Sequence, residues 1–228
     1  MQPLNAEDMA EKLAKTGKYC AEQNVAAAIE QAKIAHSILD EIVGFLRPGV
    51  CESEMGKFAL QCFARHAIER TWHPPYVRFG EHTLLTFLDK AKVDRQLQDD
   101  DIAFIDIGIV KNGIEGDAGR TVVFGNNAVC IQLAEKSKSI FDTAAAFWKK
   151  NNPTGIALYE YIYGLAEKVD VQWNLDPAGH LIGAFPHRGW KRGINHFPEK
   201  VEAGKWILEI QIRHPELSIG SFYENLLY

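Results

Sequence analysis

Apolar positions at helical spacing, Ile34, Ile38, Ile42 and Phe45, run through an Ala-, Glu- and Lys-rich stretch over residues 6–46. They predict an opening helix, broken near Gly17 and stopped by Pro48-Gly49. Ser53 reads as the N-cap of a second helix to about Glu69, with Met55, Phe58, Ala59, Cys62 and Phe63 as its apolar stripe. From Tyr76 the texture changes to short apolar runs, around Val77 and at Leu84–Phe87, followed by a charged loop at Asp89–Asp100. A third helix is expected over Ala128–Lys150 and a fourth from the cap Thr154 to near Val169, with strand and loop from Val171 to Tyr228. Helices, strands, helices and strands in that order predict an α+β fold and hint at two similar halves.

Length and composition narrow the class. The 228 residues, 46% hydrophobic, suffice for one compact domain spanning 1–228. Thirty acids against 25 bases, without a block of like charge, argue against a nucleic-acid partner or a membrane surface. No apolar run approaches a membrane span and no leader is expected, so the expectation is a soluble cytoplasmic protein. Cys20, Cys51, Cys62 and Cys130 lack paired spacing and are expected to be reduced thiols.

The candidate chemistry begins at Asp101–Val110, a run apolar on both alternating faces with Asp106 in its middle. A carboxylate buried there requires a partner or a metal. Asn112-Gly113 is a strong two-residue hairpin signal before a second strand, Gly116–Phe124. That turn sets Asp117 opposite Gly108 and makes Asp106 and Asp117 same-face diagonal neighbours roughly 7–8 Å apart. A three-residue turn would send them to opposite faces. Read singly, Asp106 could pair with Arg120 and Asp117 could be a turn former; together they favour a cation.

Residues 205–213 alternate Trp206, Leu208, Ile210 and Ile212 against Ile207, Glu209, Gln211 and Arg213, so Glu209 could simply face water. A four-residue turn at Pro215–Ser218 would place it directly opposite Glu224, where two like charges repel unless a cation is shared. Between the hairpins, His180 is flanked by Gly179 and Gly183, and Pro186-His187-Arg188-Gly189 follows. A neutral imidazole suits a transition metal, although a lone histidine is more often structural. His36, His66, His73, His82, His196 and His214 show no mutual spacing that marks a site, and Trp148, Trp173, Trp190 and Trp206 read as core.

Phe104-Ile105-Asp106-Ile107-Gly108, Gly116-Asp117-Ala118-Gly119-Arg120-Thr121, Gly179-His180 with Ile182-Gly183, Glu209, and Tyr223-Glu224 together resemble the pita-bread metallopeptidases. That family comprises methionine aminopeptidases, Xaa-Pro aminopeptidases and prolidases, with creatinase as a metal-free relative. The resemblance runs from about residue 20 to the C-terminus. It implies a duplicated α+β fold with a curved antiparallel sheet, helices on its outer face, and two divalent cations (Mn, Co, Fe or Zn). By the same resemblance Asp106 chelates one metal, Asp117 and Glu224 bridge, His180 binds the other, and Glu209 is a ligand beside the attacking water. His187 would steady the substrate carbonyl.

Three departures stand out. Phe87 occupies the place of the family's substrate histidine, which passes that role to His73 or His82 or alters the substrate. Arg188 replaces a usual acid after the second histidine, and Gln211 replaces the glycine or proline of the Xaa-Pro enzymes. The expected activity is aminopeptidase- or dipeptidase-like hydrolysis of a peptide or amide, with a homodimer implied by the resemblance. The competing expectations are a small-molecule amidohydrolase or tailoring enzyme on the same metals, and a non-catalytic binding protein.

Overall fold

The computed structural model describes residues 25–174, 179–187 and 189–228. Helices α1 (Val25–Phe45) and α2 (Glu52–Arg65) lead into β1 (Arg70–Thr71), β2 (Tyr76–Phe79) and the hairpin β3 (Ile102–Lys111) and β4 (Ile114–Val123). Helices α3 (Ala128–Asn151) and α4 (Gly155–Lys168) then precede β5 (Gln172–Trp173), β6 (His180–Leu181) and a second hairpin, β7 (Trp206–Arg213) and β8 (Gly220–Leu226). All strands join one antiparallel sheet in the order β1-β3-β4-β8-β7-β5, with β2 also on β3 and β6 on β7. Each half therefore contributes a helix pair and a hairpin.

The hairpins have the predicted registers. Asn112 and Gly113 adopt φ of 53° and 70°, the left-handed values that a two-residue turn matched to strand twist requires. Gly108 consequently faces Asp117, and Asp106 faces Gly119. In the second hairpin the His214 amide donates to the Ile219 carbonyl at 3.0 Å, leaving residues 215–218 as the turn, and Glu209 faces Glu224. The two hairpins meet along β4 and β8 through only two residue pairs, Gly119 with Glu224 and Arg120 with Tyr223.

Alternation along the strands sends one set of side chains to the helices. Ile105, Ile107 and Ile109 of β3 pack with Ala35, Ile38, Leu39 and Ile42 of α1 and with Met55 and Cys62 of α2. Leu208, Ile210 and Ile212 of β7 pack with Ile140 and Ala144 of α3 and Leu158 and Ile162 of α4. Fully burying each large aliphatic contributes about 1.5–3 kcal/mol, so these faces fix the register of both hairpins. Trp148 and Trp206 are buried in the second core, and Trp173 and Trp190 pack against it.

Several local expectations are corrected. The opening helix before Val25, the break at Gly17 and Cys20 lie outside the described residues. Helix α2 is capped at Cys51 rather than Ser53, because the Glu54 carboxylate accepts from the Cys51 amide while Ser53 bonds Asp94. It ends at Arg65, where Ala67 turns to a φ of 53°. Leu84–Phe87 is no strand: a 3-10 turn covers Gly80–Leu84, and the carbonyls of Leu84 and Leu85 are taken by the side chains of Asn174 and Gln211. Cys51, Cys62 and Cys130 are free thiols, and no described helix is long and apolar enough to cross a membrane.

Candidate metal centre

Because its neighbours Ile105 and Ile107 face the helices, Asp106 points to the opposite face of the sheet. Asp117 reaches the same face from β4, across from Gly108. Glu224 joins them by leaning over Gly119, where an added Cβ would lie 2.8 Å from Glu224 Oε1 and collide with the Phe222 ring. Glu209 follows on β7 as the cross-strand partner of Glu224. Gly179, at a φ of 77°, brings β6 so close to β7 that a Cβ there would strike the Ile207 carbonyl, and this places His180 over the acids.

The five side chains expected as ligands all line one cavity, with Glu209 outside the two donor groups that the others form with His73. His180 Nε2 is 3.0 Å from Asp117 Oδ2 and 3.6 Å from Glu209 Oε1, while its Nδ1 donates to the Leu181 carbonyl at 2.9 Å. A sixth side chain joins them: His73, expected only as a candidate substrate contact, lies on the β1–β2 connection and sets its Nε2 3.4 Å from Asp106 Oδ1 and 3.6 Å from Asp117 Oδ1. Two groups of donor atoms result, His73 with Asp106 and Asp117, and Asp117 with His180 and Glu224. Each group has its donors within 4.8 Å of one another, and Asp117 belongs to both.

Asp106 Oδ1, Asp117 Oδ1 and Glu224 Oε1 are buried and receive no hydrogen bond. Leaving three such carboxylate oxygens unsatisfied is costly unless a cation is their partner, so the donor set fits divalent metal ions. The charges tell the same story. Burial raises Asp106 to about 6 and Glu209 to about 7, and raises Glu224 well above the usual range, reinforced there by Asp106. Burial also opposes the charge on Asp117, yet the hydrogen bond to His180 and the nearby His73 imidazole hold it below its usual value. Against the effect of burial, the carboxylates lift His73 to about 10 and His180 to about 9. Without a cation, the two imidazoliums take over part of the neutralising role.

His187 stands beside this cluster, its ring centroid 6.5 Å from that of His180. Its Nδ1 is 2.7 Å from Glu115 Oε2, and the same buried carboxylate accepts from the amides of His187 and Gly183. Glu115 was not singled out in the sequence because it lies at a polar strand end beside a turn. Phe87 is half-exposed on the wall of a cavity of about 210 Å³ above the acids. Trp72, Tyr76, Leu85, Phe104 and Phe222 complete its apolar lining, with Arg78, Thr86 and Gln211 as polar exceptions. His82 is elsewhere, buried and bonded through Nδ1 to Glu52 at 2.8 Å. Arg188 lies outside the described residues. Arg120, the alternative partner for Asp106, instead pairs with Asp40 at 2.7 Å.

Comparison with solved structures shows the fold. The prolidase from Pyrococcus furiosus superposes with a TM-score of 0.71 at 19% identity, covering 88% of this chain and 60% of that one. The X-Pro aminopeptidase from Thermotoga maritima MSB8 gives 0.72 at 20%, covering 95% and 60%, and the Xaa-Pro dipeptidase from Bacillus anthracis gives 0.70 at 18%, covering 92% and 56%. The chain therefore has the pita-bread fold and spans no more than about 60% of the length of these three proteins. The search of curated proteins found no match. A sequence model of metallopeptidase family M24 matches residues 26–227, which contain every member of the acid and histidine cluster; the chain belongs to that family.

Proposed function

We propose that this chain carries a two-metal hydrolase domain acting on small peptides or amides, with Asp106, Asp117, His180, Glu209 and Glu224 as ligands. The observation that carries the proposal is the set of unpartnered carboxylate oxygens gathered around Asp117. Oxygen-rich ligation with imidazole suits Mn, Co, Fe or Zn. Cations held there lower the pKa of a water and polarise a carbonyl. Glu209, beside the attacking water, would take its proton and return it to the leaving nitrogen. His187, held through Nδ1 by the Glu115 carboxylate, is assigned to steadying the substrate carbonyl. Trp72 and the other apolar walls exclude bulk water from the reacting carbonyl.

The cavity favours a substrate of dipeptide size, and its neighbours in structure include enzymes described as Xaa-Pro dipeptidase and X-Pro aminopeptidase. A second reading, a non-peptide amidohydrolase on the same centre, is favoured by Phe87 on the cavity wall in place of a polar substrate contact. Purified protein loaded with Mn²⁺ or Co²⁺ is to be assayed against Xaa-Pro dipeptides, peptides with N-terminal methionine and non-peptide amides. Turnover of a dipeptide that is abolished by Asp106→Ala supports the first reading, and turnover confined to non-peptide amides supports the second. Metal-loaded protein that hydrolyses none of them overturns both.

A further inference from the structure

His73 has the geometry of a ligand rather than of a substrate contact. Its Nδ1 lies 2.7 Å from the Pro74 carbonyl, which can only accept, so Nδ1 carries a hydrogen and Nε2 is the atom aimed at the acids. Fixing one ring nitrogen on a backbone carbonyl is how a protein commits the other to a metal. His180 shows the same arrangement at the second donor group, with Nδ1 on the Leu181 carbonyl. His73 Nε2 stands 3.4 Å from Asp106 Oδ1 and 3.6 Å from Asp117 Oδ1, and neither oxygen has a hydrogen-bond partner. Donors that share an ion at about 2.1 Å lie roughly 3.0–3.4 Å apart when they subtend 90–110°, which is close to these separations.

The fold around His73 is built to hold that position. A Cβ on Gly108 would collide with the His73 ring and the Trp72 indole, so the glycine after Asp106 on the same face is the socket for both. Trp72 meets the His73 ring edge-on at a centroid distance of 4.4 Å, and Tyr76 stacks on it at 5.3 Å. His73 lies on the cavity wall, and this packing leaves its imidazole little freedom to turn away from the acids.

We infer that His73 is a protein ligand of the cation held by Asp106 and Asp117, giving a centre with one imidazole at each of its two metal positions. The inference rests on the metal-dependent reading above. An added imidazole moves that position away from the hard, all-oxygen ligation that suits Mn²⁺ or Mg²⁺ and toward Co²⁺, Fe²⁺ or Zn²⁺.

Metal-free protein, His73→Ala, His73→Gln and Asp117→Asn are to be titrated with Co²⁺ alone, by calorimetry and by visible d–d absorption, with circular dichroism verifying the fold. The expected result is two Co²⁺ per wild-type chain. Both His73 variants are expected to weaken one of the two sites on the order of 10-fold to 100-fold and to alter its d–d bands, leaving the other site unchanged. Equal stoichiometry, affinity and spectrum in wild type and in whichever His73 variant is folded overturn the inference. A rise in KM without those metal changes does so too and makes His73 a substrate contact. Failure of the underlying reading looks different: wild type and Asp117→Asn would then bind Co²⁺ alike or not at all.

Discussion

Glu209 and Glu224 are direct cross-strand partners on β7 and β8, and both carboxyls point away from the helices into the acid cluster. Like charges so opposed destabilise the sheet they belong to. Glu224→Gln is expected to raise the thermal midpoint of the metal-free protein while removing the stabilisation that added Co²⁺ gives the wild type. Scanning calorimetry with and without Co²⁺ checks this, and a lowered midpoint in the metal-free variant contradicts it.

Protonation of the metal-free centre sets a pH dependence of stability. His73 and His180 have folded pKa values of about 10 and about 9, above the 6.5 of the free side chain. A raised value contributes stability that is fully present below pH 6.5 and is lost as pH rises through the folded pKa. In chelator, the midpoint should therefore fall between pH 6.5 and 10 more steeply in wild type than in a His73→Ala, His180→Ala double variant. The same protons must leave when a cation binds, so Co²⁺ affinity should rise over that interval. A flat affinity profile excludes this account.

Glu115 supports His187 without touching the acid cluster. Glu115→Gln is expected to lower kcat by roughly 10–100-fold while leaving two Co²⁺ per chain. Loss of metal in this variant would show that Glu115 acts on the ligands and not on His187.

Arg78 brings a guanidinium to the cavity wall, and its buried Nε has no acceptor. A substrate carboxylate would satisfy it. Arg78→Met should raise KM for dipeptides with a free C-terminus by about 10–100-fold, the worth of a charge-assisted hydrogen bond, and leave C-terminally amidated substrates nearly unaffected. Equal effects on both would remove the carboxylate from the argument.

Gly116 lies against the backbone of α1, where an added Cβ would be 2.7 Å from the Gln31 carbonyl oxygen. Gly116→Ala should lose about 1–3 kcal/mol of stability by separating helix from sheet, measured by urea denaturation.

The sequence was most legible where parity decides the outcome. Asn112-Gly113 admits a two-residue turn, and that alone puts Asp106 and Asp117 on one face. The 215–218 turn does the same for Glu209 and Glu224. The place of His73 beside the acids was illegible for the opposite reason. It sits on a connection between strands of two and four residues, whose path over Gly108 depends on Trp72 and Tyr76 packing and on no local periodicity. Leu84–Phe87 read as a strand because its apolar run looks the same whether its carbonyls meet a neighbouring strand or, as here, the side chains of Asn174 and Gln211.

The junction of the two hairpins is the narrowest span of the sheet between them, two residue pairs against ten within β3–β4 and seven within β7–β8. His73, Asp106 and Asp117 stand on one side of that junction and His180, Glu209 and Glu224 on the other. An ion seated among them would work as a rivet through the seam. Loading the protein would then govern its mechanics as well as its chemistry, and hydrogen exchange at Thr121 and Phe222 would report occupancy without any substrate present.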